Sequence, residues 1–208
     1  MAKENLREKV GPWARFLARL GKHLMFWRQS KMSKLLINLA YREIIRLLIE
    51  TEGDLETALK VVYKLCSNAG RDFLMEWVEE GSAIFSKHVG DHAHWIKAGY
   101  YSFTGDNIKY IEYFPPEKEG DPHRVVWRFH DDECFVCAGM EEDETLEVKA
   151  EDFGEMGWCV VIAGIFQTTV NMINEYVGIK YKGIVKETRC KLKGHDFDEF
   201  IAEFYPTE

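Results

Sequence analysis

Residues 179–205, IKYKGIVKETRCKLKGHDFDEFIAEFY, contain two stretches rich in β-branched and aromatic residues with a glycine-containing turn between them. Such stretches are typical of β-strands, and they predict the last two strands of an antiparallel sheet. The first strand carries Glu187 and leads to Cys190, while Cys159 begins an apolar segment upstream. A carboxylate and two thiols on a rigid scaffold predict a site for a borderline-soft metal ion.

The spacing of Glu187 and Cys190 places a geometric condition on this strand. The two residues are three apart, so a regular strand would point their side chains to opposite faces. Both side chains reach one ion only if the strand bulges, ends or twists between them. We therefore expect the strand to be interrupted there.

Helical patterns fill the first 88 residues. Apolar residues at helical spacing follow Pro12 in a basic, aromatic-rich segment, and Gly53-Asp54 separates two later helices. We predict a basic amphipathic helical arm over residues 1–34, followed by one domain over 35–208. The other helices are predicted in KLLINLAYREIIRLLIE from Lys34, LETALKVVYKLCSNAG from Leu55 and RDFLMEWVEEGSAIFSKH from Arg71.

The pattern then changes to short aromatic and β-branched stretches separated by turn signals. WIKAGYYSF, NIKYIEYF and HRVVWRFH predict three strands of an antiparallel meander, and LEVKA predicts another short strand. A longer helix is predicted from Phe153 to Tyr176, before the final two strands. The predicted fold class is α+β, with N-terminal helices packed on an antiparallel sheet and one inserted long helix.

The composition is that of a folded protein without a membrane span. Of 208 residues, 46% are apolar, yet no apolar run approaches the roughly 20 residues that cross a bilayer, and the start lacks a signal-peptide pattern. Five cysteines, an odd number, favour reduced thiols, metal ligands or buried side chains over a disulfide framework. We therefore expect a cytoplasmic protein.

Charge is distributed unevenly along the chain. Residues 1–46 contain 11 Lys or Arg and three acids, a formal charge of +8, and the remaining 16 Lys or Arg and 32 acids give −16. Such asymmetry indicates an electrostatic partner for the arm. The acidic body of the same or a second subunit is the favoured partner; an anionic membrane surface is the alternative, and direct nucleic-acid binding is not expected.

One motif links the last fifty residues: Cys159, Gly164, the run Glu187-Thr-Arg-Cys190 and Gly194-His195. This motif resembles that of the 4-vinyl reductase domain family. The resemblance covers about residues 35–206. Members of this family bind small molecules, and the domain is also the sensor of phenol- and toluene-responsive activators. The fold is shared with Golgi-tethering TRAPP subunits and haem-based nitric-oxide sensors.

In the sensor members, four residues hold a zinc ion. The resemblance therefore implies Cys159, Glu187 and Cys190 as ligands, with Asp198, or else His195, in place of the family's last cysteine. A carboxylate at that position suits zinc and also suits iron.

The resemblance also implies an effector pocket lined by His94 and Trp127. A buried histidine donates to a phenolic or carbonyl oxygen, and a tryptophan supplies an apolar wall. The alternative is that Trp127 is a core residue and His94 an ordinary loop residue.

Cys134-Phe-Val-Cys137 is a single CxxC motif whose role the sequence leaves open. The pair binds a second metal ion, completes a site with Cys66 or His130, or acts as a redox pair. Acidic neighbours raise thiol pKa values, so we favour metal binding or structure over redox chemistry.

Three histidines, His88, His92 and His94, permit a haem or another tetrapyrrole as a minor alternative cofactor. No catalytic motif is present, so no catalytic residue is predicted and a non-enzymatic role is favoured. The sequence predicts a homodimeric ligand-binding or sensor protein for a small hydrophobic or aromatic molecule, with a structural metal site and a protein partner for any signalling. A tetrapyrrole-modifying protein, a metal-assisted hydrolase and a pure interaction module are the alternatives.

Overall fold

A computed structural model describes residues 34–69, 71–81, 85–130, 134–137 and 148–207. The predicted basic arm lies outside these described residues, apart from its last position. No helix within the described ranges is long and apolar enough to cross a membrane.

The first helices follow the predicted pattern closely. Between the first two, Gly53 has φ 94°, a left-handed conformation that glycine adopts without strain. Asp54 then caps the next helix, because its Oδ1 accepts a 2.7 Å hydrogen bond from the backbone N–H of Thr57. The predicted break is thereby confirmed. The helices before residue 82 are α1 (Lys34–Glu52), α2 (Leu55–Ala69) and α3 (Arg71–Gly81).

The segment WIKAGYYSF is helical, so the predicted first strand is wrong. It lies within α4 (His92–Thr104). This helix buries residues that recur at intervals of three and four along one face, which is helical spacing. The β-propensity of the aromatic residues is overridden by this packing. The buried residues on this face are His92, Trp95, Ile96, Gly99 and Tyr100.

Four strands form one antiparallel sheet in the order β1-β2-β4-β3, which confirms the predicted α+β class. β4 is central, and its first residue, Asp198, pairs with Phe129 at the end of β2. The end of β3 pairs with the same end of β4. Two chain segments therefore leave the sheet beside Asp198. The strands are β1 (Tyr110–Phe114), β2 (His123–Phe129), β3 (Tyr181–Arg189) and β4 (Asp198–Pro206).

The inserted helix α5 (Val160–Val177) connects the two halves of the fold. It packs against α2 on one side and β3 on the other. The residue that precedes it, Cys159, occupies its N-cap position.

Three other predicted elements differ from the structure. The helix from Arg71 ends at Gly81, and the chain from 85 to 88 is not helical. The described part of LEVKA is not a strand and leads into a 3₁₀ turn, Ala150–Phe153. The long helix begins at Val160 rather than Phe153, because two glycines between these positions disfavour a helix.

His92 is a fully buried, neutral histidine in this core. Its Nε2 lies 2.7 Å from Oδ1 of Asn174, so the ring N–H donates to that carbonyl oxygen. The ring stacks on Phe204 with centroids 4.9 Å apart. Burial lowers the pKa of His92 to about 3.

We expect His92 to make the protein sensitive to acid. The unfolded chain binds a proton at a pKa of about 6.5, whereas the folded chain does not. The free energy of unfolding should therefore fall as the pH decreases from about 6.5 toward 3, by about 1.4 kcal/mol per pH unit from this residue. Urea unfolding of wild type and His92→Gln between pH 7 and 4 measures the difference in slope. His94→Gln, an exposed position on the same helix, should keep the wild-type slope. Parallel curves for all three proteins would refute the assignment.

Candidate metal centre and ligand cavity

Four buried side chains from three parts of the chain converge at one end of the sheet. One ligand atom from each lies within 4.8 Å of the others, and all four residues are buried. Cys159 Sγ lies 3.0 Å from Cys134 Sγ and 2.8 Å from Cys137 Sγ. Cys137 Sγ lies 3.8 Å from Oδ1 of Asp198. Three thiols and one carboxylate oxygen are a donor set typical of a tetrahedral zinc or iron site.

A second group of donors adjoins the first. It consists of Glu187, Cys190 and Asp198, whose ligand atoms also lie within 4.8 Å of one another. Asp198 belongs to both groups. The six residues of the two groups are called the donor cluster below.

The strand that carries Glu187 is interrupted, which meets the geometric condition for Glu187 and Cys190 to reach one ion. Its pairing with β4 shifts register between Glu187 and Arg189, and β3 ends at Arg189. Cys190 follows directly and precedes a 3₁₀ turn. The bulge and the strand end bring side chains three residues apart to one side, which a regular strand would not do.

A close backbone approach makes room for the Glu187 carboxylate. A Cβ at Gly157 would lie 2.3 Å from Cδ of Glu187 and 2.4 Å from its Oε2. Any side chain at position 157 would therefore collide with this carboxylate. Glycine at this position lets the carboxylate lie against the backbone, and a larger residue would force it to move.

Backbone N–H groups hold two members of the donor cluster. The N–H of Trp158 donates to Cys190 Sγ at 3.3 Å, and the N–H of Lys191 donates to Oδ1 of Asp198 at 2.8 Å. Such bonds favour the ionised forms of both acceptors.

Trp158 also fixes the turn that carries Cys134 and Cys137. Its indole Nε1–H donates to the carbonyl of Val136 at 2.8 Å. Asn38 Nδ2 lies 3.3 and 3.4 Å from the carbonyls of Phe135 and Val136. The Tyr41 hydroxyl donates to the carbonyl of Trp158 at 2.6 Å. The CxxC turn is therefore anchored to α1 and to the residue before Cys159.

Three buried carboxylate oxygens in the cluster have no hydrogen-bond partner among the described residues. They are both oxygens of Glu187 and Oδ2 of Asp198. Burial raises the pKa of Glu187 well above its usual range and that of Asp198 to about 8, with neighbouring thiolates adding to both shifts. Buried polar atoms without partners are costly, and a bound cation would satisfy them. The residues present therefore fit a metal ion.

The thiols of the cluster have dissimilar protonation. Hydrogen bonding with Cys137 lowers the pKa of Cys190 to about 6, although burial opposes this shift. Burial alone would raise the pKa of Cys134, but hydrogen bonds from Cys137 and Cys159 outweigh it and the pKa is lowered. Thiolate, the form that binds metal, is thus available within the cluster.

The structure brings together most of the metal-site residues named in the sequence analysis. Cys159, Glu187, Cys190 and Asp198 lie in the donor cluster, but His195 does not. His195 is exposed, and its Nδ1 lies 3.0 Å from the carbonyl oxygen of Cys190, where it supports the turn. The CxxC pair joins the same cluster instead of forming a separate site. Metal binding by these residues stays a prediction.

A largely apolar cavity of about 320 Å³ lies among the helices. The sequence predicted a pocket between the helical layer and the sheet, whereas the residues around this cavity come from α2 to α5 and from the CxxC turn. Within the described part of the chain, no strand residue lines it. Its walls include Cys66, Trp77, Tyr100, Phe103, Phe135, Ile162, Phe166 and Thr169.

Neither predicted pocket residue lines this cavity. His94 is exposed on α4, on the side opposite the buried face. Trp127 is fully buried in β2, where its indole N–H donates to the carbonyl of Ala93 at 3.2 Å. Trp127 is therefore a core residue, the alternative that its sequence context allowed.

Comparisons with known proteins identify the fold. No protein-family model and no curated protein sequence matches the chain. A crystal structure of trafficking protein particle complex subunit 3 from Naegleria fowleri, covalently bound to palmitic acid, is similar with a TM-score of 0.60. It is 15% identical, and the match covers 84% of this chain and 98% of that one. The chain has a TRAPP-like fold. The predicted relation in fold to TRAPP subunits is thereby confirmed, and membership of the 4-vinyl reductase family stays a prediction.

Proposed function

We propose that this protein binds one apolar small molecule in the helical cavity, as a carrier or sensor of the 4-vinyl reductase type. The observation that carries the proposal is the cavity itself. Its volume of about 320 Å³ lies near the lower end of the range for small-molecule sites, roughly 300–1,000 Å³. This size suits one acyl chain or one small aromatic molecule.

The cavity walls favour an apolar ligand because their hydroxyl groups are already occupied. Thr169 Oγ1 donates to the carbonyl of Ile165 at 2.8 Å, and Thr104 Oγ1 donates to that of Tyr100 at 2.7 Å. Both bonds stay within a helix. A ligand would therefore meet mainly aliphatic and aromatic surface, which favours burial of hydrocarbon.

One wall residue is positioned at a mouth to solvent. Leu65 lines the cavity and is 56% exposed, so it belongs to both the cavity and the surface. We propose that a ligand enters beside Leu65.

A palmitate-bound structure with the same fold supports an acyl ligand. Cys66 is a wall residue, and its thiol would be the attachment point for a thioester. Burial raises the pKa of Cys66, so little nucleophilic thiolate is present at neutral pH. We therefore propose reversible occupancy as the main mode.

The metal centre has a structural role in this proposal. Zinc, or iron, would be held by the donor cluster, and it would tie the CxxC turn, the start of α5 and the ends of β3 and β4 together. Four unpaired cysteines in the cluster match a reducing compartment, and we propose a cytoplasmic location.

We also propose that the protein assembles as a homodimer, or with a protein partner that passes on its signal. Helix α1 exposes large apolar side chains, which are common at protein interfaces. The mass in solution tests the homodimer, because a monomer at micromolar concentration contradicts it and leaves only the protein partner. The residues are Leu35, Leu36, Leu39, Ile44 and Leu47.

The tetrapyrrole and hydrolase alternatives have less support. Among the described residues, no histidine lines the cavity, so its walls give a haem iron no imidazole ligand. His92 already bonds to Asn174 in the core. The thiols of the cluster are all buried, which disfavours a metal-bound water open to substrate.

Filling the cavity tests the proposal. Thr169→Phe replaces a small wall residue that is only 5% exposed, and we expect its affinity for palmitate to fall at least about tenfold. Lys182→Phe adds the same ring at an exposed site on β3, outside the cavity, and should bind as wild type does.

Palmitate and naphthalene are each added to protein that holds a fluorescent fatty acid, and displacement of that probe measures their binding. Circular dichroism confirms folding. Denaturing mass spectrometry separates a thioester from reversible ligand. Wild type that binds neither palmitate nor naphthalene, or equal binding by both variants, would refute the proposal.

A further inference from the structure

We propose that the donor cluster holds two divalent metal ions bridged by Asp198, and this inference rests on the metal centre proposed above. The number of donors is the first reason. A tetrahedral ion takes four ligands, whereas six buried or half-buried thiols and carboxylates meet here. They fall into two groups that share one residue, Asp198.

A single ion can occupy only one of the two groups, and it leaves donors of the other group without a bound metal. An ion on Cys134, Cys137, Cys159 and Asp198 has a full set of four, but both oxygens of the buried Glu187 carboxylate then have no hydrogen-bond partner among the residues that the structure describes. An ion in the other group leaves the thiols of Cys134, Cys137 and Cys159 without a metal, although the sulfur atom of Cys159 lies within 3.0 Å of the other two. Only two ions satisfy both groups.

The two oxygens of Asp198 have different surroundings, as a bridge requires. Oδ1 accepts the N–H of Lys191 and lies 3.8 Å from Cys137 Sγ. Oδ2 is buried without a partner among the described residues. Asp198 itself is fully buried, at 0% exposure. A carboxylate with one oxygen for each ion is a suitable bridge for metals roughly 3.5–4 Å apart.

The summed charge of the donor cluster also favours two ions. Four thiolates and two carboxylates would carry six negative charges when ionised. One divalent cation leaves most of that charge uncompensated in a buried site, whereas a second cation removes a further two charges. A pair of cations therefore leaves less buried charge uncompensated than a single cation does.

The two positions are unequal. The thiol-rich position has four protein ligands, which is the closed set of a structural site. The other position has Glu187, Cys190 and the shared Asp198, and its fourth ligand is the second Glu187 oxygen or a water. We expect the ion beside Glu187 to be released first.

The metal content of zinc-loaded protein tests the inference. Wild type should bind about two zinc ions per chain, and Cys66→Ser, which lies outside the cluster, should also bind about two. Glu187→Gln should keep about one. Gly157→Ala changes no donor, but its Cβ displaces the Glu187 carboxylate, so it should also keep about one.

Cobalt titration supplies an independent readout. Thiolate-to-cobalt absorption should rise in two phases with different affinities in wild type, and in one phase in Gly157→Ala. The bridge should couple the two cobalt ions magnetically, and Asp198→Asn should abolish this coupling.

Three outcomes are distinguishable. About two ions per chain, with one lost in Gly157→Ala and Glu187→Gln, support the pair. One ion per fully loaded wild-type chain overturns the pair but leaves the metal centre. No bound metal in wild type overturns both proposals.

Discussion

Cys159→Ser should lose the thiol-rich ion and more than about 4 kcal/mol of unfolding free energy. Cys159 is fully buried at the N-cap of α5, and its sulfur contacts both cysteines of the CxxC turn. A serine hydroxyl is nearly isosteric but binds zinc poorly, because the thiolate is the usual ligand. Without the ion, three separate segments are no longer tied together. A fall in Tm of roughly 10 °C follows for a domain of this size.

Elemental analysis and thermal unfolding measure these two effects. Cys66→Ser is the matched control, because Cys66 lies in the cavity wall and not in the donor cluster. It should keep its metal and a Tm close to that of wild type. A chelator should lower the Tm of wild type and Cys66→Ser by more than it lowers that of Cys159→Ser, which has already lost the thiol-rich ion. If Cys159→Ser retains wild-type metal content and Tm, the thiols serve packing alone.

Trp158→Ala should cost about 3–5 kcal/mol and should also weaken metal binding. Trp158 is fully buried, and its ring packs edge-on against Tyr41 with centroids 5.2 Å apart. Truncation leaves a large cavity and removes the indole bond to the carbonyl of Val136. The CxxC turn then loses its anchor beside Cys159, so the thiols are less well organised for an ion.

Trp127→Ala separates the two consequences. Trp127 is also fully buried and also donates its indole N–H to a backbone carbonyl, that of Ala93 at 3.2 Å. It lies outside the donor cluster. We expect a similar loss of unfolding free energy in urea, but with metal content retained. Equal metal content in Trp158→Ala and Trp127→Ala would contradict the anchoring role of Trp158.

The elements that were predicted correctly are those in which residue preference and the spacing of buried residues favour the same secondary structure. The strands from 179 to 205 and the helices from Lys34 and Leu55 follow their own residue patterns. In α4, aromatic residues favoured a strand, but burial of His92, Ile96 and Tyr100 follows helical spacing. That spacing was present in the sequence, and the aromatic composition obscured it.

The candidate site was predictable only in part. The run from Glu187 to Cys190, together with Cys159 and Asp198, resembles a known motif, and the structure places these residues together. The position of the CxxC pair beside Cys159 depends on hydrogen bonds from Asn38 and Trp158, which lie far away in sequence and which no local spacing encodes. The cavity walls come from helices about 100 residues apart in sequence, such as Cys66 and Phe166. These residues come together only in the tertiary structure.

Phe135 has a consequence for how this protein would behave in a cell. It stands between the two cysteines of the CxxC turn, and its side chain also forms part of the cavity wall. Whatever loosens that turn also changes the shape of the ligand's compartment. By thermodynamic reciprocity, a ligand that prefers the metal-loaded shape must strengthen metal retention by the same factor. If the proposed metal and apolar ligand both bind, scarcity of one would therefore weaken the protein's hold on the other.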